Sequence, residues 1–384
     1  MKRKFEQTEE NKCDIITLIP QEISNLVFTF IHKKTKKEEM KRWVLDLRIV
    51  SKSWNQKIEF WMKEHAHVIL SNENALKIYH RILPKEVTIR CSNDFHPEIT
   101  QSKNVTDLNL EDGWCDSCVA QFLHVTSLNI IGATYMDNTR LKKFKNLSTL
   151  KMVSGKPLIG FEMPNIKSLE LQQDDLVLQS TKYFPNLKAL KLVKASEDEI
   201  HSTLKSSSSI ESLALENIYE SNDYLDWDEL KLDKVRVLKV QDSSCFSFLN
   251  NILNIVNLEH LVLKHCEMNE FLNLFVPMSN LKTIEIHCDE KLSMLFINEE
   301  EFWKFVHSCK NLVSFILREQ YTVEIDYKVD KYPEQKRSET LKEVDKNWKL
   351  LISMPNIRFA QWKSNILNYQ FIDSSFTNFG FLDS

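Results

Sequence analysis

Three sets of residues in this chain have types and spacing that could do chemistry. "CDSC" places Cys115 and Cys118 as a zinc half-site or redox pair would. His265-Cys266 and His287-Cys288 repeat the same dipeptide after 22 residues and could together chelate a metal ion. "GKPLIGFE" gives Gly155 and Gly160 the spacing of a phosphate-cradling loop. Each has a plainer reading. "CDSC" lacks a second pair at matching spacing, so it is read as structural or incidental. The His-Cys dipeptides fit core positions, because free cysteine behaves as a small hydrophobe. Phe161 and Glu162 stand where the phosphate loop needs Lys and Ser or Thr. Spacing assembles no nucleophile, base and acid. The expectation is a chain that is not an enzyme, with no cofactor and no metal; a metal-dependent enzyme at the His-Cys pairs is the weakest alternative.

Composition sets the class. The chain has 384 residues, of which 42% are hydrophobic. That is enough for a sizeable core and points to two domains or one long repeat array. A net charge of -4 gives no global pull toward nucleic acid or anionic lipid. The first 64 residues are locally basic, with 14 Lys and Arg against 10 Asp and Glu. No apolar run approaches the roughly 18 residues of a membrane span. "MKRKFEQTEENK" is not a secretory leader. Eight scattered cysteines suit reduced thiols in the cytoplasm or nucleus. "KRK" at Lys2–Lys4 and "KKTKK" at Lys33–Lys37 are read as solvated charge rather than import signals.

The elements that must position any site are repeats. "NLKALKL", from Asn186, has relatives in "NVTDLNL", "HVTSLNI", "NLSTLKM", "NIKSLEL", "SIESLAL", "KVRVLKV", "NLEHLVL", "NLKTIEI" and "NLVSFIL". All follow apolar-x-x-apolar-x-apolar. The first apolar residues are Val105, Val125, Leu147, Ile166, Leu187, Ile210, Val235, Leu258, Leu281 and Leu312, at gaps of 19 to 31 residues. "PKEVTIR" and "NIRFAQW" are expected to add a unit at either end. In "LKALKL", Leu190 and Leu192 point inward from a short strand and Lys191 points out. One repeat cannot bury its own apolar residues, so neighbours must stack. Helices or irregular turns should back the strands, for instance over "FLNNILNIV" with Phe248, Leu249, Ile252, Leu253 and Val256.

Over residues 84–362 this pattern resembles the leucine-rich repeat family. The family's asparagine or cysteine, three residues past the last apolar position, is matched by Cys266; Gly113, Asp174 or Ala195 stands there elsewhere. After the tenth repeat the period breaks. "YTVEIDYKV" alternates like an extra strand, and Leu341, Val344, Trp348 and Leu351 have helical spacing. The aromatic tail, with Tyr369, Phe371, Phe376, Phe379 and Phe381, is expected to cap the open end of the array.

A different segment stands ahead of the repeats. "LIPQEISNLVFTFI" puts Ile23, Leu26, Val27, Phe30 and Ile31 on one side of a helix. "RWVLDLRIVSKSWNQKIEFWM" follows a basic loop and would have two apolar faces, Trp43, Leu47, Val50 and Trp54 on one, Leu45 and Ile49 on the other. Ile19-Pro20, Glu22, the apolar helix positions and the ending Val50-x-Lys52-x-Trp54 resemble an F-box over residues 15–62. The resemblance implies that Pro20, Ile23, Val27, Phe30, Ile31, Leu47, Val50 and Trp54 dock on a Skp-type adaptor, which links to a cullin–RING ubiquitin ligase.

The expected fold is thus an α/β solenoid: a leucine-rich-repeat horseshoe with a parallel sheet on its concave face, preceded by a small all-α F-box domain. The expected segments are a tail at 1–14, the F-box at 15–64, repeats at 65–319, an insertion with a backing helix at 320–355, and a last strand and cap at 356–384. The resemblance implies a substrate-recognition subunit of an SCF-type ubiquitin ligase, with an unknown protein as substrate and neither nucleic acid nor membrane as partner. The alternative is a binding scaffold whose N-terminal helices only cap the solenoid. The outward strand residues locate the substrate. Asn109, Asn129, Lys151, Glu170 and Lys191 are polar throughout, whereas Ala214, Val262 and Ile316 occur among the later ones. Val237, His260, Val262 and Ile316 are the expected substrate-binding residues. The competing expectation is that the insertion after Leu317 folds over them.

Overall fold

The computed structural model describes residues 52–71, 73–90, 99, 102–111, 119–132, 138–153, 162–172, 183–205, 207, 209–219, 230, 232–243, 255, 257–266, 278–288, 300–319, 345–363 and 368–372. The chain forms two compact units, Met1–Ile131 and Gly132–Ser384.

In the first unit, helix α1 (Lys52–His65) runs directly into strand β1 (His67–Leu70). Helix α2 (Glu73–Ile82) follows, then β2 (Glu86–Arg90), β3 (Asp107–Glu111) and β4 (Ser127–Ile131). The four strands are parallel and adjacent in chain order. Trp61 of α1 and Tyr79 of α2 are buried. Desolvation pushes the Tyr79 phenol up to about 12. An ion pair between Lys85 and Glu64 and the bond from the Lys85 N–H to the Lys63 carbonyl (3.0 Å) tie the end of α1 to the start of β2. β1 precedes the first unit read from the sequence; "HVIL" lacks the leading apolar residue of the repeat template.

In the second unit, β5 (Thr149–Val153), β6 (Ser168–Gln172), β7 (Ala189–Val193), β8 (Ser212–Glu216), β9 (Val237–Gln241), β10 (His260–Lys264), β11 (Thr283–Cys288), β12 (Ser314–Glu319) and β13 (Phe359–Lys363) are parallel, each beside the next. β14 (Asn368–Ile372) turns back antiparallel on β13. Its Tyr369 stacks on Trp348 with ring centroids 5.2 Å apart, and the Tyr369 hydroxyl donates to Asp345 at 3.2 Å. This stretch of parallel repeats is a solenoid of the leucine-rich type expected from the sequence.

The template explains the core. Each first apolar residue, Val105 through Leu312, is buried, as are the two inward strand residues that follow it. Val87 and Ile89 of β2, and Ile357 and Ala360 before and within β13, extend the same layers. Strand pleating sends alternate residues inward, so each repeat adds one layer of three side chains. Backing elements are short. Helix α3 (Glu197–Lys205) starts with a capping box: the Ser196 N–H donates to the Glu199 carboxylate at 2.8 Å. Helix α4 (Glu300–Ser308) buries Phe302, Trp303, Phe305 and Val306. Residues 345–352 are helical and bury Trp348 and Leu351. "FLNNILNIV", apart from Ile255, and "YTVEIDYKV" lie outside the described residues, as do Leu341 and Val344.

Two hydrogen-bond systems join successive repeats. The asparagine that opens the template donates its Nδ2 to a carbonyl one repeat earlier: Asn165 to Lys145 (2.6 Å), Asn186 to Pro164 (2.9 Å), Asn257 to Asp233 (2.7 Å), Asn311 to Ser279 (2.7 Å) and Asn356 to Lys310 (2.8 Å). Ser209 does the same with its hydroxyl toward Leu187 (2.7 Å). At the other end of the strands the chain turns through positive φ at Gly132, Lys194, Asn217, Asp242 and His265. There the N–H reaches a carbonyl at the end of the next strand, the last one or, for His265, the last but one, at 2.8 to 3.0 Å. Asn, Asp and His tolerate this region better than most residues, whereas Lys194 depends on its neighbours to hold it there.

Candidate functional site

The candidate site is the outward face of the second unit's strands. At each strand centre sit Lys151, Glu170, Lys191, Ala214, Lys239, Val262, Glu285, Ile316 and Gln361, in continuous register. From β5 to β8 the charges neutralise one another. Glu170 lies 2.9 Å from Lys151 and 3.3 Å from Lys191, and Lys191 is 2.9 Å from Glu216. The hydrogen bond and charge of Glu216, together with Glu170, raise the Lys191 pKa despite its partial burial.

β9 to β12 differ. Val237 pairs in register with His260, and Val262 lies between Lys239 and Glu285. The His260 ring is 3.0 Å from the Thr283 hydroxyl, and burial lowers its pKa. Glu285, with its side chain 13% exposed, touches His287 (2.9 Å) and Lys264 (3.1 Å). The His287 contact, reinforced by Lys264, holds its carboxyl down to about 2. Lys239 is exposed, and neither it nor Arg318 pairs with a carboxylate among the described residues. Arg318 donates from Nε to the Gln361 side chain at 3.4 Å.

Of the four expected substrate-binding residues, the structure brings Val237, His260 and Val262 together and leaves each partly exposed. Ile316 requires a correction. It holds the outward register, between Glu285 and Gln361, but is only 3% exposed. Outward register does not guarantee solvent contact once neighbouring groups close over a strand, so Ile316 belongs to the packing and not to the open surface. Sequence reasoning missed Lys239 and Arg318 as site residues. Their signal was a cluster of Lys and Arg at outward positions late in the array, with Glu285 as the one described outward carboxylate.

Of the expected adaptor-binding residues, Pro20, Ile23, Val27, Phe30, Ile31, Leu47 and Val50 lie outside the described residues. Trp54 falls within α1, with its side chain outside the description. α1 itself is two-faced further along: Trp61 is 5% exposed and the adjacent Phe60 is 52% exposed.

Of the two His-Cys pairs, the side chain of Cys288 lies outside the described residues. Cys266 is buried, and its thiol donates to the carbonyls of Lys264 (3.3 Å) and Val240 (3.5 Å), as a core residue would. Among the described residues no three His, Cys, Asp or Glu side chains gather as metal ligands. Cys115 and Cys118 lie outside those residues. At the leading ends of β8 to β11 an open cleft of about 630 Å³ is lined by Glu211, Asp233, Arg236, Asn257, Glu259 and Asn280 among others. Three of its charged residues are in ion pairs, Arg236 with Glu259 (2.9 Å), Glu259 also with Lys282 (2.5 Å) and Glu211 with Lys188 (2.8 Å). No helix of the described residues is long and apolar enough to cross a membrane.

No family model matches the sequence, and no curated protein matches it. Among solved structures the chain is similar to an internalin (inlF) from Listeria monocytogenes, at 15% identity over 58% of this chain and 76% of that one. The TM-score is 0.27, too low for the likeness to carry an argument, and the repeat fold rests on the strand register and core described above.

Proposed function

We propose that this chain is a non-catalytic substrate receptor of an SCF-type ubiquitin ligase: an F-box docks it on a Skp-type adaptor and the repeats hold a protein substrate. One observation supports the ligase part above others. Ile19-Pro20, Glu22 and Val50-x-Lys52-x-Trp54 stand in F-box order, and the helix that begins at Lys52 runs through His65 straight into the first strand of the repeats. A receptor built this way would act by proximity, raising the effective concentration of a substrate lysine near the ubiquitin-loaded enzyme. The cytoplasm or nucleus is the matching compartment.

A second reading has its own support. Trp61 is buried and Glu64 pairs with Lys85, which is what a helix serving only to cap the repeats would do. Binding of the purified chain to Skp adaptors of its own organism separates the two. Ile23→Asp is expected to abolish that binding, since a carboxylate forced into an apolar interface costs several kcal/mol, while the thermal melt of the repeats stays unchanged. A folded wild-type chain with no affinity for any such adaptor leaves the cap reading.

A further inference from the structure

The outward face of β9 to β12 has a charge surplus that its own side chains do not neutralise. Lys264 and His287 share Glu285, which is the one carboxylate among the described outward side chains of these strands. Lys239 and Arg318 remain without a carboxylate partner among the described residues. Beside Lys239, on the side toward Arg318, lies Val262, partly exposed. Three strand spacings separate Lys239 from Arg318, roughly 14 Å, and their offset along the strands lengthens that to about 16 Å. In an extended chain residues i, i+2 and i+4 share one face, and i to i+4 spans roughly 13–14 Å. Two flexible cationic side chains make up the difference.

We propose that β9 to β12 bind an extended acidic protein segment of pattern acidic-x-apolar-x-acidic, laid across the strands. Its two carboxylates meet Lys239 and Arg318, and its apolar side chain rests on Val262. The proposal rests on the repeats being a protein-binding surface, the coarser half of the function above, and needs no ligase. Charge complementarity selects the occupant: a basic segment would face two uncompensated cations and one carboxylate already shared by Lys264 and His287. Such contacts add specificity and association rate.

The test uses the full chain and a labelled peptide with Glu at i and i+4, Leu at i+2 and Ser or Ala elsewhere, followed by fluorescence polarisation. Binding should be measurable and should weaken as salt rises, because the contacts lie at the surface. Lys239→Glu and Arg318→Glu should each weaken it at least tenfold. Lys239→Gln should weaken it less. Lys145→Glu, away from the face, should leave it unchanged. The double charge reversal should instead prefer a peptide with Lys at i and i+4. Thermal melts keep the comparison to folded protein, and Lys239 is exposed enough to be replaced without unfolding. Absence of binding by the folded wild type overturns the proposal, as does equal binding by the two Glu variants. Equal affinity for a peptide with Ala in place of Leu also overturns it, leaving only non-specific attraction of anions. Adaptor binding, measured on the same variants, should not change; its absence in the wild type would count against the ligase reading alone.

Discussion

The outward faces of β2 to β4 and of β9 to β12 are built on the same backbone and the same inward layers, yet they have opposite charge. The first has Glu86, Asp107 and Glu111 against Arg90. Its acids have local partners: Arg90 reaches Glu111 at 2.6 Å, Asn109 donates to Glu86 at 3.1 Å, and the Thr106 hydroxyl donates to Asp107 at 2.6 Å. The second has Lys239, Lys264, His287 and Arg318 against Glu285 alone. The lesson is a division of labour within each repeat. Inward positions are interchangeable among Val, Leu and Ile because they need only fill a layer. Outward positions carry what distinguishes one repeat from another.

The largest expected effect tests that division. Leu190→Asp should unfold several repeats, since it buries an unpaired carboxylate in a layer shared with its neighbours, at a cost above about 4 kcal/mol. Lys191→Ala, one residue along and 38% exposed, breaks ion pairs with Glu170 and Glu216. Such surface pairs contribute about 1 kcal/mol or less. Thermal melts compare the two directly. Similar losses would place the inward–outward register wrongly.

An intermediate effect separates two outward residues of the cationic region. Ile316→Glu should destabilise by roughly 2–4 kcal/mol, because the side chain is buried. Val262→Glu, partly exposed, should cost less than about 1 kcal/mol. Denaturant melts of both variants decide it, and a mild Ile316→Glu would restore that residue to the open surface.

A last effect is read from its disappearance on acidification and concerns Glu285. Its unfolded carboxyl titrates near 4.5 and its folded one near 2. The folded state therefore gains stability that is fully present above about pH 4.5 and is lost as pH falls toward 2, about 3 kcal/mol in all. Glu285→Gln should flatten that part of the stability–pH curve, measured by urea melts between pH 2 and 6. An unchanged slope would show that Lys264 and His287 do not hold the carboxylate as described.

Much of the repeat array was legible before any coordinates. Leu187, Leu190 and Leu192 could be assigned inward from spacing alone, and the same template located nine other buried triplets. The linking asparagines were in plain view in "NLKALKL" and its relatives. The leucine-rich pattern puts its asparagine or cysteine three residues past the last apolar position, where this chain has Cys266 once and Gly113, Asp174 or Ala195 elsewhere; the linking Asn stands instead at the template's start. The positive φ after β7, β8, β9 and β10 left no such trace, because Lys194, Asn217, Asp242 and His265 share no residue type.

What the sequence by itself determined is the register, that is, which residues of each repeat face in and which face out. That follows from pleating and period, both properties of a short stretch of chain. What only the tertiary structure decided is the state of each outward residue. Lys191 is neutralised from both sides and Lys239, among the described residues, from neither, although each is a lysine at the centre of its strand. Val262 stays partly open while Ile316 is closed over. The neighbours that make these differences come from the adjoining strands, a repeat or more away along the chain, so local pattern places a side chain on the face and stacking alone settles what it meets there.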